Sequence, residues 1–477
     1  PAAPAKAPIS PISARLSRRG ATRSPLSAAV PEAARQPPTP PVAAARQALE
    51  EGSLDDAVRL SRELAAGTPA EARWGQLVEG QAHLERGDWA AAIPPLRAAA
   101  EAARADGEGE TLGRALSSLG RALHHAGQFD DCRAALVEAT RVWSPPPLDA
   151  AAILRLLGDL ALRMGDVETA EERWTEAAQI ARDHGSADAE ARACRGLASC
   201  TTVRGHYAEA LDQLNEALQL LDETADPRVV TALLARRLEL ESVLGRYARA
   251  LETGERLLEI TVDDPAGRAE ALGLLAEVLS ALGLADETIQ AAGEVASLIE
   301  AIGPRPDPGI RAARALCEVG RPAEALSILD HLSSTDRSPM DDLRSQIDAV
   351  RARAMARSDS AAARDLANDV LTRPSPLLAI RAARIRLDAA LALHEAGADS
   401  AARNAVKRGL KLVQGSGNKG LKLELLIAMY LASPDHRVVE AAARTAMRVL
   451  EDLPPHAAQT FRARPMIAAA LARYREA

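Results

Sequence analysis

A short pattern returns along this chain: a glycine, a bulky residue two positions later and a small residue five positions later. Gly87/Trp89/Ala92, Gly127/Phe129/Cys132, Gly165/Val167/Ala170, Gly205/Tyr207/Ala210 and Gly245/Tyr247/Ala250 all fit it. Gly283/Ala285/Thr288 and Gly320/Pro322/Ala325 are weaker copies. Successive glycines stand 37 to 40 residues apart. A fixed period of that size on helical patterning signals stacked supersecondary units. The glycine admits the left-handed backbone with which one helix ends and the next begins at once. Upstream of it, Leu116, Leu119 and Leu123 mark an apolar helical stripe. Seven residues before the turn stands a small residue, first Gly80, Gly120 and Gly158, later Ala198, Ala276 and Ala313. A small side chain there lets two helices approach closely. Downstream, Cys132, Leu136 and Ala139 continue the apolar face into the second helix. The pattern predicts an all-α solenoid of antiparallel helix pairs, A and B, whose apolar faces are covered only when neighbours stack.

The motif Leu-x-x-Leu-Gly-x-x-Leu-x-x-x-Gly-x-Phe from Leu116 to Phe129 recurs with drift at Leu154 to Val167 and at Cys194 to Tyr207. It resembles the tetratricopeptide repeat family, over roughly residues 42–453. That family has a usual period of about 34 residues, so this chain is similar to its long-period members, with extended helices or linkers. The resemblance implies a protein- or peptide-binding scaffold or adaptor, with the A helices lining a concave groove. Projected onto this sequence, it puts Arg114, Ser117, Arg121 and His124 inward from one unit, then Arg155, Asp159 and Arg163, then Arg192, Arg195 and Ser199. Arginine pairs bidentately with carboxylate or phosphate, so the expected ligand is an acidic or phosphorylated segment. Further along, Arg236, Glu239, Glu270 and Glu277 turn the groove mixed and then acidic.

Composition shifts divide the chain. Residues 1–41 are rich in Pro, Ala, Ser and Arg and read as a disordered tail or linker. Residues 42–303 read as a regular array, 304–455 as a degenerate one and 456–477 as C-terminal capping helices. After Gly320 the next clean turn glycine is Gly397, two periods on, and the intervening unit fits 340–371 with Ser358 in the glycine's place. A last pair fits around Ser433-Pro434-Asp435, and Pro465 argues for two terminal helices. Pro94-Pro95 is expected to kink or shorten its B helix. The first residue is Pro, which suggests a portion of something longer. The alternative function is therefore the sensor region of a larger bacterial signalling protein, a Ser/Thr kinase or an ATP-dependent transcription regulator.

Charge and motifs narrow the chemistry. Residues 1–41 hold six basic residues against Glu32 alone, and residues 371–477 hold seventeen against nine acidic ones. The total is nevertheless −8, so the middle of the chain is strongly acidic. Arg403, Lys407 and Lys411, with Arg408 beside them, form a basic patch on one helix. No aromatics alternate with these bases, which argues against nucleic acid. Cys132, Cys194, Cys200 and Cys317 fall within the repeats and not in metal spacings, which favours a reducing, cytoplasmic setting. No apolar run is long enough to span a bilayer. Gly415-Ser416-Gly417-Asn418-Lys419-Gly420 has the letters of a dinucleotide loop, but a helix precedes it where that loop needs a strand. His124 and His125 are adjacent and point to different sides of a helix. No catalytic constellation and no cofactor site emerges, and the expectation is a non-enzymatic binding protein.

Overall fold

The structure, a computed structural model, describes residues 40–303, 305–335, 341–374 and 378–476. The tail reading therefore lies outside the described residues up to position 39, and Pro40 and Pro41 already open the first helix. Among the described residues there are 24 helices and no strand. The chain divides into two compact units, one up to Ala189 and one from Glu190 onward.

The first unit holds four pairs. They are α1 (Pro40–Glu50) with α2 (Leu54–Leu64), α3 (Pro69–Arg86) with α4 (Trp89–Asp106), α5 (Gly109–His125) with α6 (Phe129–Val142), and α7 (Pro147–Arg163) with α8 (Val167–Asp183). The division falls in the first turn of α9 (Ala187–Val203), which pairs with α10 (Tyr207–Gln219). Next in the second unit come α11 (Pro227–Val243) with α12 (Tyr247–Ile260), α13 (Pro265–Leu282) with α14 (Ala285–Ile302), and α15 (Pro306–Glu318) with α16 (Pro322–Thr335). Then follow α17 (Asp341–Met355) with α18 (Ser360–Thr372), α19 (Ala379–Glu395) with α20 (Asp399–Leu412), α21 (Lys419–Ala432) with α22 (His436–Leu450), and α23 (Pro455–Ala463) with α24 (Pro465–Glu476). Odd-numbered helices are the A helices.

Each A-to-B turn shows why glycine recurs. Gly87, Gly127, Gly165, Gly205, Gly245, Gly283 and Gly320 all have φ between 72° and 84°, a region other residues avoid. At the next turn after Gly320, Ser358 stands in the glycine's place, and among the described residues no non-glycine residue has positive φ. There the turn closes differently: Ser358 N donates to Met355 O, and the Asp359 carboxylate caps α18 by accepting from Ala362 N. Asp226, Asp264 and Asp435 cap α11, α13 and α22 in the same way.

The small residue on each A helix marks where it crosses its own B helix. A Cβ built on Gly120 would lie 2.6 Å from Leu136 Cδ2, and one on Gly158 would lie 3.0 Å from the Trp174 ring. A Cβ on Gly80 would collide with Leu96. Leu96, Leu136 and Trp174 are themselves buried. Each contributes about 1.5–3 kcal/mol for leucine-sized burial, and close approach is what makes that burial complete. Pro94 and Pro95 do not shorten their helix, since α4 runs 18 residues straight through them. They fall in its second turn, so the carbonyls that lose a partner are those of Ala90 and Ala91, near the helix start.

Within the second unit, A helices five pairs apart meet. Gly420 at the start of α21 sits so close to the end of α11 that a Cβ would lie 2.7 Å from Ser242 O and 2.8 Å from the Tyr247 hydroxyl. Beside the end of α13, the Arg464 guanidinium donates to Ala281 O at 2.7 Å. Buried apolar residues from both stretches, including Leu234, Tyr247, Leu423 and Val449, share one core.

Candidate functional site

In the first unit, α5 and α7 carry four of the arginines singled out above. Arg121 donates to Glu85 of α3 at 2.8 Å, and Arg114 donates to Glu110 at 3.2 Å while lying over the Trp143 ring. Arg155 stands 3.8 Å from the Asp159 carboxylate, and His124 stands 3.9 Å from the same oxygen. Arg163 covers the Phe129 ring at 4.6 Å from its centroid. His125 stacks on Trp89 at 4.0 Å. Burial, then His124, Arg121 and Arg155, hold the His125 imidazole down at about 4. Arg121 and Arg155, from successive A helices, thus act on one imidazole, with Asp159 acting in the opposite sense.

Arg192 and Arg195 lie on α9, in the second unit, and are half-buried. Arg192 donates to Asp226 at 2.5 Å, and the Arg195 carbonyl accepts from Ser199. The basic patch lies on α20, with Arg403 half-buried and Lys407, Arg408 and Lys411 exposed. Burial and Arg408 keep the neighbouring Arg386 below its ordinary value.

The second unit's A helices hold an arrangement the sequence reading missed. Glu239 and Glu277 were expected to make an acidic groove. They are instead neutralised by arginines from A helices further along the chain. Arg311 pairs with Glu270 and reaches Glu239 at 3.6 Å and Glu277 at 3.8 Å. Arg314 donates to Glu277 at 2.6 Å and, through Nε, to Asp388 at 2.8 Å. Asp388 has no exposed surface and also accepts from Arg353 at 3.3 Å. Arg353 donates onward to Glu318 at 2.7 Å, and Arg384 donates to Glu424 at 3.1 Å. Burial works to raise the Glu239 carboxyl, but Arg236, Arg311 and Arg381 outweigh it and hold it down at about 2. Burial likewise opposes ionisation of Glu277, and Arg384, Arg314 and Arg311 outweigh it and lower its value. Burial raises Glu270 and is only partly offset by Arg311.

A positional signal was available. The residue six places before each turn glycine is Gln81, Arg121, Asp159, Ser199, Glu239, Glu277 and then Arg314. Carrying that register one unit past Glu277 would have placed Arg314 on the same face.

Among the described residues no helix is long and apolar enough to cross a membrane, and no group of His, Cys, Asp and Glu could hold a metal. The four cysteines are free thiols.

The tetratricopeptide repeat family model matches residues 149–223, the span of α7 to α10. No curated protein matches the chain in sequence. Among solved structures the chain is similar to a Rap protein complexed with Competence and Sporulation Factor. The identity is 12% and the TM-score 0.53, with 79% of this chain and 97% of that one covered. Aspartyl phosphate phosphatase F from Bacillus subtilis also matches, at 12% identity and TM-score 0.45 over 81% and 97% of the two chains. A tetratricopeptide repeat protein from Parabacteroides merdae matches at 19% identity and TM-score 0.36 over 59% and 98%. At its identity the first is a likeness of fold, and the looser superpositions of the other two add nothing to it. Residues 149–223 thus match the tetratricopeptide repeat family, and helix pairs joined by left-handed glycine turns of the same kind continue on both sides of them.

Proposed function

We propose that the chain is a protein- or peptide-binding scaffold, and that the A-helix face of its first unit reads an acidic or phosphorylated segment. The observation that carries this reading is the convergence of Arg121 and Arg155 from successive A helices on the His124–His125 corner. Arg163 and Arg114 flank it over aromatic rings. Guanidinium groups spread along one face suit a ligand with repeated carboxylates or a phosphate. The ion pairs of Arg121 with Glu85, at 2.8 Å, and of Arg155 with Asp159, at 3.8 Å, are solvent-accessible in part. Such surface pairs are worth about 0–1 kcal/mol each, so a ligand can displace them at little cost. The Rap protein of similar fold was solved with a factor bound, which supports a partner-holding role for an array of this kind.

The test is fluorescence anisotropy of an acidic Glu/Gly decapeptide and its phosphoserine counterpart with the full chain. Binding should weaken at least about tenfold in Arg121→Glu/Arg155→Glu, as expected when two charge-assisted contacts of about 1.5 kcal/mol or more are reversed. Helicity by circular dichroism should not change. Equal binding by the variant would remove the reading.

A further inference from the structure

The ion-pair lattice of the second unit does not close completely. Between α11, α13, α15, α17 and α19 it leaves a cavity of about 40 Å³, room for about three water-sized groups. Two polar side chains at its wall are more than nine-tenths buried and have a donor with no hydrogen-bond partner among the described residues. They are Arg314 (5% exposed, Nη2) and Gln346 (8% exposed, Nε2). Arg381 and Arg384 also line the cavity, and Arg381 reaches its carboxylates only at 3.5 and 3.8 Å. The carboxylates at the wall are committed: Glu277 to Arg314 at 2.6 Å, Glu239 to Arg236 and Arg311, and Asp307 to Arg381. Each of the four guanidinium groups at the wall, those of Arg311, Arg314, Arg381 and Arg384, also has a carboxylate outside it, Glu270, Asp388, Asp342 and Glu424 in turn, and among the residues lining the cavity the two unpartnered side-chain atoms are both donors. A buried donor left without a partner costs about 1–3 kcal/mol, more when charged. Val243, Leu274, Ile310 and Ile380 complete the wall, so the polar corner adjoins an aliphatic one.

We propose that this cavity is a binding site for a carboxylate carried on an aliphatic group, its oxygens accepting from Arg314 Nη2 and Gln346 Nε2. The size admits a carboxylate head and little more. Phosphate, with up to two charges, is disfavoured beside the Glu239 and Glu277 carboxylates. The carboxylate comes either from the end or side chain of a polypeptide or from a free small acid. This site lies wholly in the second unit and does not depend on the arginine face of the first.

The full chain is tested by isothermal titration with propionate and propionamide at matched ionic strength, and with alanyl-leucine and alanyl-leucine amide. Propionate should bind and propionamide should not. Gln346→Glu, which sets a carboxylate in the cavity, should weaken propionate at least tenfold. Gln346→Leu, which only deletes the donor, should weaken it severalfold, and it keeps the test alive should Gln346→Glu fold poorly. Arg121→Glu/Arg155→Glu should leave propionate binding unchanged, so this site and the first-unit face fail separately. Tighter binding of alanyl-leucine than of its amide assigns a polypeptide source, and equal binding of the two with propionate still bound assigns a free acid. Equal heats from propionate and propionamide, or undiminished propionate binding by both Gln346 variants, would overturn the site.

Discussion

Changing Asp388 to alanine tests whether the ion lattice of the second unit is structural. Asp388 is completely buried and takes hydrogen bonds from Arg314 Nε at 2.8 Å and from Arg353 Nη1 at 3.3 Å. Removing it leaves both guanidinium groups without one of their two carboxylates. Two charge-assisted hydrogen bonds at about 1.5–3 kcal/mol each suggest a loss of about 3–6 kcal/mol. The measured cost of breaking a buried pair from one side is about 3–5 kcal/mol, so the two routes agree. The chain supplies its own unit-selective probes. Its four tryptophans, Trp74, Trp89, Trp143 and Trp174, all lie in the first unit, whereas circular dichroism sees both. With a urea slope of about 3 kcal/mol/M, the dichroism transition of the second unit should fall by roughly 1–1.7 M in Asp388→Ala. Tryptophan fluorescence should keep its midpoint. Asp388→Asn, which keeps an acceptor and drops the charge, should fall between. Glu138→Ala serves as reference, since Glu138 pairs bidentately with Arg104 on the surface and its loss should cost about 1 kcal/mol or less. A shift for Asp388→Ala no larger than that of Glu138→Ala would refute the claim that the lattice holds the second unit together.

The crossing glycines and the titrating groups give two more expectations. Gly120→Ala should destabilise the first unit by up to about 2 kcal/mol, because overpacking against buried Leu136 costs about 1–3 kcal/mol and the helix gains back about 1 kcal/mol. Gly158→Ala meets Trp174 only at 3.0 Å and should stay within about 1 kcal/mol of neutral by the same reckoning; urea midpoints in the reverse order would contradict the packing account. Glu239 is held at about 2, below the ordinary 4.5, so the unfolded chain binds the extra proton between those values. The stability it contributes is present above pH 4.5 and drains away as pH falls toward 2. His125 is held at about 4 against an ordinary 6.5. It favours the folded state fully above pH 6.5 and progressively less down to 4. Dichroism midpoints should therefore decline below pH 4.5 and flatten partly in Glu239→Gln. Tryptophan-monitored midpoints should decline between 6.5 and 4 and flatten in His125→Gln. Flat profiles in the unmodified chain would rule these assignments out.

Helix pairing was legible because its signals are local. A glycine that must adopt positive φ and a small residue seven places earlier lie within one turn-and-helix segment, and both govern contacts inside a single pair. The unit lacking a glycine was still traceable, since Ser358 and Asp359 keep the polar turn character that caps α18. The arginine positions on α5 and α7 followed from the same register. The lattice of the second unit did not, because its partners are far apart in sequence. Arg311 meets Glu239 across 72 residues and Arg314 meets Asp388 across 74. Nothing in Glu239 or Glu277 themselves says whether an arginine one or two units on will reach them. That depends on how sharply successive pairs rotate, which the small per-pair packing offsets set and the residue letters do not. Pro94 and Pro95 misled for the opposite reason: the local penalty is real, but an 18-residue helix packed along its length absorbs it.

The meeting of α11 with α21, and of Arg464 with the end of α13, changes what kind of polymer the second unit is. An open array can gain or lose a pair at either end, since each pair touches only its neighbours. Here the eleventh pair seals a seam on the sixth. Deleting or inserting one pair would slip every later partner by one position and separate pairs such as Arg314 with Asp388. Growth by tandem duplication within this unit would break those pairs and the seam. The unit should melt and evolve as a single body, and any change in its length should come in the loops.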